Sequence, residues 1–261
     1  MAFTELSYEV DDHVGIITLR RPEAMNSLTY TLYMELEDAV RDSDARALII
    51  TGEGRAFCAG DDVKQILGGT SGPPPETIER GRKTGGLTPA ADALLYSDIP
   101  IIAAVNGPAV GWGMELAIMA DMRIASSAAR FGELFVVRGL CCDAPGLGRL
   151  AQIVGRARAA ELLFTGEVID AQRALALGLV SEVVEPDALM DSAMVLARKI
   201  AANPPLAVRA IKAGLRRTLD PDWRDVGSWA IEQIQALRQT EDSKESVRSF
   251  LEKREPKFTG R

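Results

Sequence analysis

Two glycine-rich turns, each leaving a short apolar run and entering a helical pattern, constrain this chain more than any other feature. ALIIT at 47–51 gives way to GEGRAFCAGDD and then VKQIL, and IPIIAAV at 99–105 gives way to NGPAVGWG and then MELAIMA. A short unbroken apolar run bounded by turn residues reads as a strand covered on both faces. A strand that ends in glycines and opens a helix leaves backbone N–H groups unpaired at the helix N-terminus, where they favour an anion. Neither turn is a phosphate loop, because GxxxxGK[ST] is missing and no Gly is followed by Lys. Neither fits the GxGxxG dinucleotide pattern with an acid about twenty residues further on. Side by side, the two turns can supply a two-donor oxyanion hole.

The rest of the chain reads as alternating strands and helices followed by a helical tail. VGIITLR at 14–20 is a strand, and SLTYTLYMELEDAV from Ser27 puts Leu28, Leu32, Leu36, Ala39 and Val40 on one helical face. Residues 68–90, rich in Gly and Pro, read as a loop or lid with room for a short helix. DMRIAS is a strand; from about residue 155 RARAAELLF, DAQRALALG and PPLAVRAIKAGLRRTL are helical, and Trp223 to Lys253 holds one or two amphipathic helices. This order predicts an α/β core over 1–200 and a helical C-terminal region over 201–261.

Composition removes several classes of function. With 37 acidic and 30 basic residues the net charge is −7, which disfavours nucleic acid, and the Arg216–Arg217 pair reads as a solvated helix face. No apolar run approaches the ~20 residues of a membrane-spanning helix. The N-terminus MAFTELSYEVDD has acids where a signal peptide is basic and apolar, and KFTGR is no sorting tail, so the expected location is cytoplasmic. Cys58, Cys141 and Cys142 form an odd set without CxxC spacing and read as buried thiols, not as a disulfide framework or zinc site. His13 is the single histidine, at the end of a strand near a turn, without the partners a catalytic or metal-ligating histidine needs. Acid–base chemistry therefore falls to carboxylates, Lys, Tyr or Cys, and no metal or redox cofactor is expected.

FCAGDDVKQI, followed by AAVNGPAVGWGMELAIMADMRIAS, ARFGELFVVRGL, GRARAAELLFTGEVIDAQRALALGLVSEVV and FLEKREPKF, resembles the enoyl-CoA hydratase/isomerase (crotonase) superfamily over nearly the whole chain. The resemblance implies a crotonase-like (ClpP/crotonase) α/β spiral of ββα units, a helical C-terminal trimerisation region, and a homotrimer or hexamer. It implies an acyl-CoA thioester substrate, with coenzyme A entering as part of that substrate. The family's two oxyanion donors are the backbone N–H groups of the residue after CAG, here Asp61, and of the middle residue of GxG, here Trp112. Both depart from the usual small residues. A backbone donor survives such a change if φ and ψ are kept, but a carboxylate beside a developing enolate costs energy unless it points away or is protonated. Trp112 narrows or reshapes the acyl pocket. By the same resemblance, Ala24, Met25 and Ser27 line the adenine site, Lys64 lies on the nucleotide side, and Asp62 caps loop or helix backbone.

Hydratases of this family hold water between two glutamates. Glu115 matches the first, but the second, in the FGxPE segment, is Phe135, which carries no proton. Asp143 matches the aspartate that dienoyl-CoA and epoxyacyl-CoA isomerase-like relatives use; dehalogenase-like relatives pair it with a histidine this chain lacks there. Glu133 is a further acid in the segment, away from the family's catalytic position, and Cys141 and Cys142 are assigned no chemistry. Glu115 and Asp143 are thus the expected acid–base pair, in an apolar pocket lined by Trp112 and Phe135 that raises a carboxylate pKa. The leading expectation is an acyl-CoA double-bond isomerase working through an enolate. The alternatives are an enoyl-CoA hydratase using the same pair around a water, and an acyl-CoA-binding protein with little catalysis.

Overall fold

The computed structural model describes residues 3–67 and 72–261. Strands β1 (Leu6–Asp11) and β2 (Val14–Leu19) form an antiparallel hairpin. Its turn residues, Asp12 and His13, both adopt positive φ (45° and 68°), as a tight hairpin turn demands, and the lone histidine is exposed there. Helix α1 (Tyr30–Arg41) starts at Thr29, whose hydroxyl accepts the Leu32 N–H at 3.0 Å. It buries Leu32, Tyr33, Leu36 and Val40, and leads to β3 (Ala47–Gly52), buried at every position. The Gly/Pro-rich stretch expected as a loop holds α2 (Pro75–Gly81) and the start of α3 (Pro89–Tyr96); its residues 68–71 lie outside the described residues.

Two strand–strand–helix turns follow. The first is β4 (Ile101–Val105), β5 (Pro108–Val110) and α4 (Trp112–Met119). The second is β6 (Met122–Ser126), β7 (Arg130–Gly132) and α5 (Ala144–Val154), with α6 (Arg156–Thr165) packed behind it. Then come β8 (Ile169–Asp170), α7 (Ala171–Ala176), β9 (Glu182–Val184) and α8 (Leu189–Ala201). Each turn places its first strand in one sheet and its second in another. The larger sheet runs β1-β2-β3-β4-β6-β9, parallel from β2 onward, and the smaller runs β5-β7-β8. Cys58 extends the pattern backward by bridging to Ala109, so the stretch after β3 behaves as a rudimentary second strand. This is the expected spiral of ββα units.

Both faces of the large sheet are covered, which accounts for its unbroken apolar strands. Leu189, Ala193, Ala197 and Ala201 of α8 pack on Val14, Ile49, Ile102 and Ile124, while α1, α3 and α4 close the larger core on the other face. After α8, α9 (Pro205–Leu219) presents Leu206, Ile211, Leu215 and Leu219 to solvent. Helix α10 (Trp223–Arg238) folds back on the core, its fully buried Trp223 so close to Gly148 that a Cβ there would stand 2.8 Å from the ring; α11 (Glu241–Glu252) ends the chain's regular structure. The helices beyond residue 201 are therefore stitched to the core: Lys212 Nζ meets Asp121 and the Ile99 carbonyl, both at 2.7 Å. Among the described residues no helix is long and apolar enough to cross a membrane.

Candidate active site

The two glycine-rich turns meet at one end of the parallel strands. The loop after β3 is clamped by two asparagines. Asn26 Nδ2 donates to the carbonyls of Glu53 (2.9 Å) and Ala56 (2.8 Å). Asn106 Nδ2 donates to Gly54 (2.9 Å) and Ala56 (3.2 Å), and its Oδ1 accepts the Gly52 N–H (3.2 Å). Beyond the clamp, the Cys58 N–H donates to the Pro108 carbonyl (3.0 Å) and the Val110 N–H to the Cys58 carbonyl (3.1 Å), which zips the turns together. Gly60, at φ 83°, has no room for a side chain: a Cβ would stand 2.9 Å from the Val110 oxygen and 3.2 Å from the Trp112 nitrogen.

The result is a pair of unused donors. Among the described residues neither the Asp61 N–H nor the Trp112 N–H donates to any group, and both residues line a cavity of about 250 Å³. Trp112 opens α4, so its N–H also sits at the positive end of that helix. The walls include Tyr33, Phe135, Asp143 and, from the C-terminal helices, Ile234 and Arg238. Tyr33 and Trp112 pack edge to face, ring centroids 4.7 Å apart at 87°.

Among the described residues, two carboxyl groups line this space, those of Asp61 and Asp143. Tyr33 Oη donates to Asp61 Oδ1 at 2.6 Å. Burial pushes the Asp61 carboxyl above the ordinary range, against the pull of the Tyr33 hydrogen bond and the Arg238 charge. Asp143 is the N-cap residue of α5, yet its side chain makes no cap hydrogen bond. Burial first and the Asp61 charge second push it up to about 7, with Arg238 opposing. Burial in this apolar pocket is thus the first cause raising both groups.

Glu115 lies beside Asp143 but behind the cavity wall, fully buried and not among the lining residues. Its Oε1 accepts the Asp143 N–H at 3.1 Å and its Oε2 the Gly146 N–H at 2.9 Å. It therefore caps α5 in place of Asp143's own side chain. Burial, then the charges of Glu133 and Asp143, hold its carboxyl well above the usual range. Glu133 is buried with both carboxylate oxygens unpartnered among the described residues, and burial raises it likewise. It borders a second cavity of about 530 Å³ with Cys141 and Cys142, and Phe135 and Leu140 stand in both linings.

The other expected site residues gather on the outer side of the donor loop. Ala24, Met25 and Ser27 form a tight turn with Met25 at φ 54°; the Ala59 N–H donates to the Met25 carbonyl at 3.0 Å, and the Leu28 N–H to Gly60 at 2.8 Å. Lys64 is exposed on the helical turn Val63–Leu67. Asp62 accepts the Lys64 and Gln65 N–H groups at 3.1 and 3.2 Å and pairs with Arg21 at 3.2 Å, which is the capping role expected of it. Cys58 and Cys142 are buried and Cys141 half-buried, all as free thiols. Tyr33 and Arg238 are cavity residues that sequence reasoning did not find. Tyr33 adjoins Leu32 on the buried side of α1, where an aromatic reads as core; Arg238 offers no local signal.

Residues 9–261 match the family described as enoyl-CoA hydratase/isomerase. The chain is 40% identical over 262 residues to the (E)-benzylidenesuccinyl-CoA hydratase of Thauera aromatica, covering 98% of this chain and 99% of that one. It is 37% identical over 260 residues to the short-chain-enoyl-CoA hydratase of Clostridium acetobutylicum, covering 97% of each. Among solved structures, a carnitinyl-CoA dehydratase from Mycobacterium avium matches with a TM-score of 0.84 at 35% identity, over 98% of this chain and 99% of that one.

Proposed function

The chain belongs to the enoyl-CoA hydratase/isomerase family, and on that premise we propose that it adds water across the double bond of an enoyl-CoA thioester. One observation carries the reading: the free N–H groups of Asp61 and Trp112 and the unpaired carboxyl of Asp143 open on a single cavity. The thioester oxygen sits between the two N–H groups, which stabilise the enolate that forms when water attacks the β-carbon. Asp143 supplies the proton to the α-carbon, and Glu115 holds the segment that carries it. Coenzyme A lies along Ala24, Met25, Ser27 and Lys64 on the outer side of the donor loop. The substrate brings the only coenzyme the reaction uses. The exposed apolar face of α9 fits assembly into a trimer or a dimer of trimers.

The names of the relatives favour hydration over the double-bond isomerisation that the sequence put first. Phe135 is what favours isomerisation: it lines the cavity, and by the family resemblance it stands in sequence where a hydratase carries its second glutamate. Mass spectrometry of unsaturated acyl-CoA thioesters incubated with the protein in D2O separates the two. Gain of a whole D2O means hydration. Deuterium exchange with a shifted double bond and no added water overturns it in favour of isomerisation. Binding without any change supports an acyl-CoA-binding protein.

A further inference from the structure

We propose that the carboxyl group of Asp61, and not only its backbone N–H, is catalytic: it is the second proton carrier of the cavity, paired with Asp143 and positioned by Tyr33. This rests on the hydratase reading above. Adding water requires two proton movements, one off the water and one onto the α-carbon. Phe135 removes one of the expected carriers, and Glu115 is walled off with both oxygens engaged by backbone N–H groups. Among the described residues lining the cavity, the carboxyl groups are those of Asp61 and Asp143.

Their surroundings divide the work. The Tyr33 hydroxyl, 2.6 Å from Asp61 Oδ1, favours the ionised form of Asp61, whereas the Asp143 side chain accepts no hydrogen bond among the described residues and keeps its proton. Arg238 lines the same cavity and offsets one negative charge between them. Two titratable groups in unlike environments are a base and an acid. As the water oxygen bonds to the β-carbon, the Asp61 carboxylate takes a proton from that water. The double-bond electron pair moves onto the α-carbon and the thioester oxygen. Asp143 then gives its proton to the α-carbon, and the enolate pair becomes the new C–H bond. Water is consumed whole, and the two acids still share one proton, now on Asp61, which returns to Asp143 through solvent in the cavity.

This order resolves the difficulty of an acid beside an oxyanion. Asp61 loses its negative charge as the enolate oxygen gains one, so the charge near the two N–H donors does not double.

The test is D61N together with Y33F, assayed for hydration across a pH range. Asn keeps the backbone N–H and an oxygen for the Tyr33 hydroxyl, but cannot take up a proton from water. D61N is expected to lose about 10²–10⁴-fold in kcat with KM little changed, and to lose the ascending limb of the pH profile. Y33F removes a donor that stabilises ionised Asp61, so that limb shifts to higher pH and kcat recovers there. D61N with wild-type kcat and an intact ascending limb overturns the proposal, as does Y33F with the limb unmoved. Y33F decides the matter if D61N does not fold. A wild-type protein that hydrates no enoyl-CoA sinks the hydratase reading and this proposal with it; an active wild type matched by D61N sinks only the proposal.

Discussion

The Glu115 carboxylate accepts the backbone N–H of Asp143 at 3.1 Å, together with that of Gly146 at 2.9 Å, so one acid performs the capping that the other's position would ordinarily require. An aspartate that begins a helix usually turns its side chain back onto the first N–H groups. Here that work comes from α4, and the Asp143 carboxyl is left to face the cavity.

Glu115→Ala strips the acceptors from both N–H groups. The lost cap costs about 0.5–2 kcal/mol, and a chain of this size loses about 2–4 °C of melting temperature for each kcal/mol. Turnover falls as well, because Asp143 is no longer held. Calorimetry and steady-state kinetics on the same preparation check both effects, and an unchanged melting temperature would contradict the capping role.

Asp143→Asn removes a proton carrier without removing a cap. We expect kcat to fall about 10²–10⁴-fold with the melting temperature preserved. The sign of the pH effect follows from the role: Asp143 works while protonated, so the wild-type rate declines as pH rises through about 7. That descending limb is absent from the variant's residual activity. A pH–rate profile of both proteins reads it directly.

Gly60→Ala places a Cβ 2.9 Å from the Val110 oxygen and 3.2 Å from the Trp112 nitrogen, at a φ of 83° that L-residues resist. The two turns must separate, and the donors no longer converge. A loss of about 10²–10³-fold in kcat is expected, the usual effect of removing one oxyanion donor. Retention of full activity would show that the donors tolerate displacement.

Glu133→Met replaces a buried carboxyl without hydrogen-bond partners among the described residues by an apolar side chain of similar length. The expected gain is about 1–3 kcal/mol, the cost of leaving such a group unsatisfied. Burial raises the folded pKa of Glu133 well above the ordinary glutamate value of about 4.3. The stability it contributes is therefore complete below that value and is lost as pH rises through the folded pKa. Melting curves should show a larger gain at about pH 8 than at about pH 5. A smaller gain at the higher pH would mean that Glu133 is ionised and paired in solution.

Strands β2, β3, β4 and β6 and the donor turns were legible because each rests on local chemistry. The apolar runs at 47–51 and 99–105 become β3 and β4 within two residues at either end, and the glycines after them turn where expected. The start of helix α3 was hidden at the end of the Gly/Pro-rich stretch although Thr88 caps it, its hydroxyl accepting the Ala91 N–H at 3.1 Å, because Pro89 at a first helical position looks like a breaker. The site was legible as a set of positions, not as an arrangement. That Glu115 is sealed behind the wall, that Tyr33 reaches Asp61 across 28 positions of sequence, and that Arg238 joins from α10 are tertiary facts with no local signature.

The two free N–H donors are peptide groups, aimed by Gly60, by the zipped turns and by the two asparagine clamps. Any stabilisation they lend a thioester oxygen, as proposed above, is therefore indifferent to what residues 61 and 112 carry beyond Cβ. Both residues nonetheless line the same cavity. On that reading, a scaffold built this way can exchange its acids, widen its chamber or change its substrate by single replacements at two positions, while its charge-stabilising part stays unaltered.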